Sequence, residues 1–198
     1  HFLRIAPGKN AFTILQPGGA KPALLGVPSG NTQLKEVTAF DPEFTYFEGY
    51  AAASPFKPRS YLEKRYFAHP CYQYRVWELR RDNEIENYFV TRTVTHAGAS
   101  ALRLVDCIAD DIGFVDFMAH LDQVLVLEGH EYIDFYTLNF NIAALESSGF
   151  VDSETLIGTV VPNYFEPFKQ QGEVKYYVST LDQPCLYKGD GDMDRPYR

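Results

Sequence analysis

The stretch SALRLVDCIADDIGFVDFMAHLDQVLVLEGHEYIDFYTL, residues 100–138, changes its period twice. Residues 100–108 read as a strand. Ile112, Val115, Met118, Ala119, Val124 and Leu125 then fall at helical spacing, so a helix is expected over 112–127, closed by Gly129 as a left-handed cap. Residues 132–138 are short and nearly continuous in apolar character, as in the covered centre of a sheet. Working upstream, Tyr72, Tyr74 and Val76 alternate with Gln73 and Arg75, predicting a strand over 72–80. A polar turn at 81–84 leads to a β-branched and aromatic strand over 85–95, and His96-Ala97-Gly98-Ala99 turns the chain again. With 100–108 this makes a three-stranded antiparallel meander. Downstream, Asn139 or Asn141 caps a helix through Ser148, and Gly149 stops it. Strands are expected over 155–161, ended by Pro162, and over 173–180.

Residues 1–58 are broken by Gly and Pro. The apolar runs 10–15 and 23–27 read as a hairpin turning at Gly18-Gly19. A short helix is expected near 42–53 and another over 58–67, begun at Pro58 and ended by Pro70. The fold class is therefore α+β, with a mixed sheet and two main helices. Residues 1–57 are expected as an N-terminal extension, or the remnant of a preceding half-domain, ahead of a domain over 58–198.

A chain of 198 residues fits one domain, and one that folds without a disulfide or metal staple. Its formal charge of -8 is unevenly spread. Residues 1–100 hold 12 Lys/Arg and 9 Asp/Glu, and residues 101–198 hold 6 and 17. So acidic a second half repels phosphate backbones, which argues against nucleic-acid binding. The basic residues Lys57, Arg59, Lys64, Arg65, Arg80 and Arg81 read as a solvated face. No apolar run spans a bilayer. Cys71, Cys107 and Cys185 are odd in number and far apart, so neither a disulfide framework nor a zinc site is indicated. With no signal peptide read, a cytoplasmic location is expected.

Ala143-Ala144-Leu145 running into Gly149-Phe150, set in this element order, resembles the GNAT acyltransferase superfamily over residues 58–180. Three stretches are similar, more narrowly, to GNAT-like proteins of bacterial surface-polysaccharide loci: Leu102-Arg103-Leu104-Val105-Asp106, Pro162-Asn163-Tyr164-Phe165-Glu166-Pro167-Phe168, and the run from Gly189 to Pro196. The resemblance implies a V-shaped cleft between splayed strands that holds acetyl-CoA or another acyl-CoA. Leu104, Val105, Asp106, Cys107, Ile108 and Gly113 would be the cofactor-binding residues. The matching phosphate loop has one Gly and no Arg or Gln. Asp110 and Asp111 stand where phosphates would go, which favours helix capping over anion binding. The family's frequent acid Tyr is replaced by Leu145.

Asp134, Tyr136 and Asp106 are therefore the candidate catalytic residues, with Glu131 and Tyr132 nearby. A desolvated carboxylate would serve as base towards an amine. Asn163, Tyr164 and Glu166, in an aromatic loop, are the candidate substrate contacts. Asp190-x-Asp192-x-Asp194 lacks the rest of a calcium loop, so no metal is expected. His69-Pro70-Cys71 is not read as a nucleophile pair. The function expected is a GNAT-like acyl- or aminoacyl-transferase acting on a small-molecule amine, such as an amino sugar in surface-glycan synthesis. The alternative is a non-catalytic GNAT-fold module that binds a sugar or protein partner. An edge near 173–180 suggests a homodimer.

Overall fold

The computed structural model describes residues 1–45, 55–162 and 184–190. In chain order the elements are β1 (Phe2–Ile5), β2 (Thr32–Val37), α1 (Arg59–Leu62), which runs into a π-helical turn (Glu63–Phe67), β3 (Arg75–Arg81), β4 (Glu84–His96) and β5 (Ala99–Ile108). Then come α2 (Asp111–Leu127), β6 (Tyr132–Phe135), β7 (Thr137–Leu138), α3 (Ile142–Ser147), β8 (Val151–Asp152) and β9 (Leu186–Tyr187). The fold is mixed α+β with few helices. Seven strands form one sheet in the order β2-β3-β4-β5-β6-β1-β8, and β7 pairs with β9 in a second, two-stranded one. Every pairing in the large sheet is antiparallel except β5 with β6.

The meander is closed by two-residue turns. Asp82 and Asn83 take φ of 50° and 70°, and Ala97 and Gly98 take 49° and 81°, the backbone that suits twisted hairpins. Both α2 and α3 end as the glycines predict. Gly149 donates to the Glu146 carbonyl and Phe150 to the Leu145 carbonyl, while Gly129 and His130 do the same to Val126 and Leu125. These are paired Schellman bonds that satisfy otherwise orphaned carbonyls. The buried face of α2 is Phe114, Phe117, Met118, Leu121 and Leu125, packed on Phe89, Leu102, Leu104, Ile133 and Phe135 of the sheet. Phe117 stacks on Phe89 at 3.9 Å. The phase differs from the expected one: Ile112 is exposed, because the aromatics claim the sheet-facing stripe.

Residues 1–57 contribute β1 and β2 to the same sheet as β3, β4, β5, β6 and β8. The expected hairpin over 10–27 is not formed. Residues 6–31 instead run as an irregular strap whose backbone N–H groups are taken by buried carboxylates. Glu131 accepts from Thr13 (2.6 Å), Ile14 (2.9 Å) and Leu15 (2.9 Å). Asp122 accepts from Gly26 (2.7 Å), and Asp116 from Ser29 (2.8 Å). Glu131 is thus a structural clasp, not a cleft-lining base. The strand expected over 155–161 is also absent: Val160 makes an isolated bridge to Gln16, and Gly158 turns the chain at φ 73°. The place beside β6 is filled by β1, whose Arg4 is buried against Asp122. The helix expected over 42–53 lies partly, and the strand over 173–180 wholly, outside the described residues. Among the described residues no helix is long and apolar enough to cross a membrane.

Candidate functional site

The one parallel pairing of the sheet is short. β5 and β6 share three partners, Leu102 with Ile133, Arg103 with Asp134 and Leu104 with Phe135. Beyond them the two strands part, and a register shift against β4 makes Val105 an extra residue in β5. The chain that continues β6 becomes β7, which pairs with β9. Just past β9, Gly189 donates its N–H to the Val105 carbonyl at 2.7 Å. Residues 186–190 therefore lie in the fork between the parted strands. The open V-shaped gap implied by the resemblance is filled by the chain itself. Gly189 allows this: a Cβ there would stand 3.1 Å from the Val105 oxygen and 2.2 Å from the Tyr66 hydroxyl.

The sheet face opposite α2 carries two apolar clusters. One, around Tyr66, Val90, Val105 and Ile108, lies under α1; the other holds Leu3, Ile5, Ala101 and Tyr132. The same face carries buried charge. At the fork, Lys57 Nζ sits 2.6 Å from Asp106 Oδ1 and 2.9 Å from Asp190 Oδ1, 4.9 Å above the Tyr187 ring. Tyr66 donates its hydroxyl to Asp106 Oδ2, and Cys107 its N–H to Asp106 Oδ1. Burial works against the Lys57 charge, yet Asp106 and Asp190 hold its ammonium above the ordinary lysine value. Burial pushes Asp190 up, against the pull of Lys57. Burial, with the Asp106 charge, also pushes the Tyr66 phenol well up.

Along the same face runs a row of register partners, Arg92 on β4, Arg103 on β5 and Asp134 on β6. Asp134 Oδ2 is 3.7 Å from Arg103 Nε and 3.4 Å from His1 Nε2. His1 stacks on Tyr136 at 3.7 Å, and Lys188 Nζ lies 5.0 Å from the same ring. Arg103 donates to the Pro162 carbonyl at 3.3 Å, and the Arg92 guanidinium covers the Tyr72 ring at 4.0 Å.

Of the candidate catalytic residues, Asp106, Asp134 and Tyr136 do come to this one face, but Asp106 is fully engaged by Lys57, Tyr66 and its own strand. Tyr132 is buried beside Asp134, and burial pushes its phenol up. Leu104, Val105, Asp106, Cys107 and Ile108 are all buried. Burial raises the Cys107 thiol far above its usual range, which keeps it inert. At the start of α2, Gly113 gives its N–H to Asp110 Oδ1 at 2.6 Å, and a Cβ on Gly113 would stand 2.0 Å from Asn87 Nδ2. Asp110 and Asp111 are exposed there. A capped helix end with two carboxylates and a filled fork do not fit a coenzyme A pyrophosphate and its pantetheine arm. Leu145 is buried in the main core. His69 Nδ1 accepts N–H groups from Cys71 and Tyr72, a turn role. Asn163, Tyr164 and Glu166, and Asp192 and Asp194, lie outside the described residues. Among the described residues no group of three His, Cys, Asp or Glu is placed to hold a metal.

The pattern alone misses Lys57, Arg92, Arg103, Lys188 and Tyr66. Lys57, read as solvated, is buried; Arg59, Arg80 and Arg81 are part-buried in surface ion pairs. A signal was present for Arg103, a charge set between leucines in a strand. No protein-family model matches the chain, no curated protein matches it, and no solved structure matches it.

Proposed function

We propose that this chain is a GNAT-like module that binds a small sugar-type ligand on the sheet face opposite α2 and does not take an acyl group from coenzyme A. The observation that carries this reading is the filled fork: residues 186–190 lie between β5 and β6 and bond to Val105. Buried charges gathered on one face of a sheet support a recognition role, because such groups burden folding unless they serve a site. The capped start of α2 and the buried Leu145 point the same way.

A second reading is an acyl- or aminoacyl-transferase acting on an amine, such as an amino sugar in surface-glycan synthesis. Asp106 and Asp134 favour it, being carboxylates on the two strands that flank the fork. Calorimetric titration with coenzyme A and acetyl-CoA separates the two. The module shows no heat of binding at millimolar ligand. Micromolar binding of acetyl-CoA, strengthened by Asp110→Ala, overturns it in favour of the transferase.

A further inference from the structure

We infer that Ser100, His130 and Glu128 act as nucleophile, base and orienting carboxylate in cleaving a small carboxylic ester. This activity does not rest on the ligand-face reading, since Ser100 lies near the start of β5, at the end of the strand away from the fork. His130 lies in the link between α2 and β6, and its ring joins the other two side chains. Its Nδ1 is 2.7 Å from Ser100 Oγ, and its Nε2 is 3.0 Å from Glu128 Oε2. A carboxylate only accepts, so Glu128 fixes the proton on Nε2 and leaves the Nδ1 lone pair to take the serine proton. That is the bonding pattern an activated serine needs.

Glu128 is itself held. Arg75 donates to both of its oxygens, at 2.7 and 2.9 Å, and lies over the Trp77 ring at 4.5 Å. The Glu131 N–H bonds the Ser100 carbonyl at 2.8 Å, which ties the strand carrying the nucleophile to the link carrying the base. The His130 ring is buried while Ser100 is half-buried, so the hydroxyl stays within reach of solvent. Burial, with Arg75 and Lys9 nearby, pushes the imidazole below its usual value against the pull of Glu128. It is therefore neutral at neutral pH and able to act as base. Lys9, bonded to the Gly129 carbonyl at 2.8 Å, brings an exposed ammonium to the residue next to His130. A positive charge there favours a developing oxyanion.

In the first step Ser100 Oγ bonds to the ester carbon as its proton passes to His130 Nδ1. The carbon–alkoxy bond breaks, and the alcohol leaves with that proton. Water then attacks the acyl-serine and gives a proton to Nδ1. The carboxylic acid is released as Ser100 Oγ takes that proton back.

The test treats the intact chain with a fluorophosphonate, which phosphonylates activated serines with loss of fluoride, and separately follows cleavage of p-nitrophenyl acetate. Peptide mass mapping is expected to find a single adduct, on Ser100, and none when the chain is first unfolded in urea. Release of p-nitrophenolate is expected above the buffer rate, rising with pH through a midpoint below about 6.5. Ser100→Ala should remove that release. Glu128→Gln, which loses the orienting carboxylate, should lower kcat by roughly tenfold or more. The adduct map on the parent chain needs no variant to fold. The inference is overturned if Ser100 carries no adduct, if release is no faster than in buffer, or if Ser100→Ala matches the parent.

Discussion

Ala97 occupies the left-handed region at φ 49°, exposed at the tip of the β4–β5 turn. An alanine there strains Cβ against its own carbonyl, a penalty of roughly 1–2 kcal/mol that glycine avoids, less the entropy glycine loses on folding. Ala97→Gly should therefore stabilise the protein by about 0.5–1 kcal/mol, read as a higher denaturant midpoint at constant slope. An unchanged or lower midpoint would show that the turn carries no such strain. This turn was legible from Ala-Gly between two β-rich runs. The charged face was not, because pattern reading assigns every lysine and arginine to solvent. Arg4, Lys57 and Arg103 break that rule for one physical reason: each meets a buried carboxylate contributed by a distant segment. Partners of that kind are long-range facts, invisible to any local window.

At the scale of elements, α2 is pinned by two histidines, one at its middle and one just past its end. His120 Nε2 lies 2.9 Å from the Thr32 hydroxyl on β2, and His130 bonds Ser100 and Glu128 just past the helix. Burial pushes both imidazoles below their usual value, outweighing the nearby carboxylates Asp116 and Glu128. The unfolded chain then binds more protons than the folded one as pH falls below about 6.5, so stability drops in that window. His120→Gln should flatten the slope of unfolding free energy between pH 7 and 5. An identical slope in the variant would remove His120 from the account. The meander, α2, β6 and α3 were readable because each owes its form to local signals: period, caps and turn residues. β1 was not. Four residues with an arginine among them show no usable period, and what makes them a strand is the pair of edges at β6 and β8 waiting to receive them. The strap over 6–31 misled for the converse reason. Its apolar runs looked like strands, but Glu131, Asp122 and Asp116 satisfy its backbone in place of a ladder.

Across the whole molecule, Lys57 does the work of a rivet. It precedes α1, bonds Asp106 on β5, and holds Asp190 just beyond β9, so three separate stretches of chain meet at one ammonium. Lys57→Met would leave two carboxylates buried close together without a cation. The expected loss is about 3–5 kcal/mol, measured by urea unfolding. Asp190→Asn in the Lys57→Met background should recover part of it, since one of the two like charges is gone. A fully stable Lys57→Met would mean that water or rearrangement relieves the pair, and that the fork is looser than its bonds imply.

The position of β1 carries a consequence for how the protein is made. Phe2–Ile5 sits inside the sheet, between strands whose residues lie some 130 to 150 positions further along the chain. On the ribosome β1 must wait, unpaired and largely apolar, until β6 and β8 have been synthesised. Closing so long a loop is slow, and the edge of β6 stays open to other strands meanwhile. Completion of the sheet is thus a late event, in which β1, made well before its partners, is among the last strands to find its place.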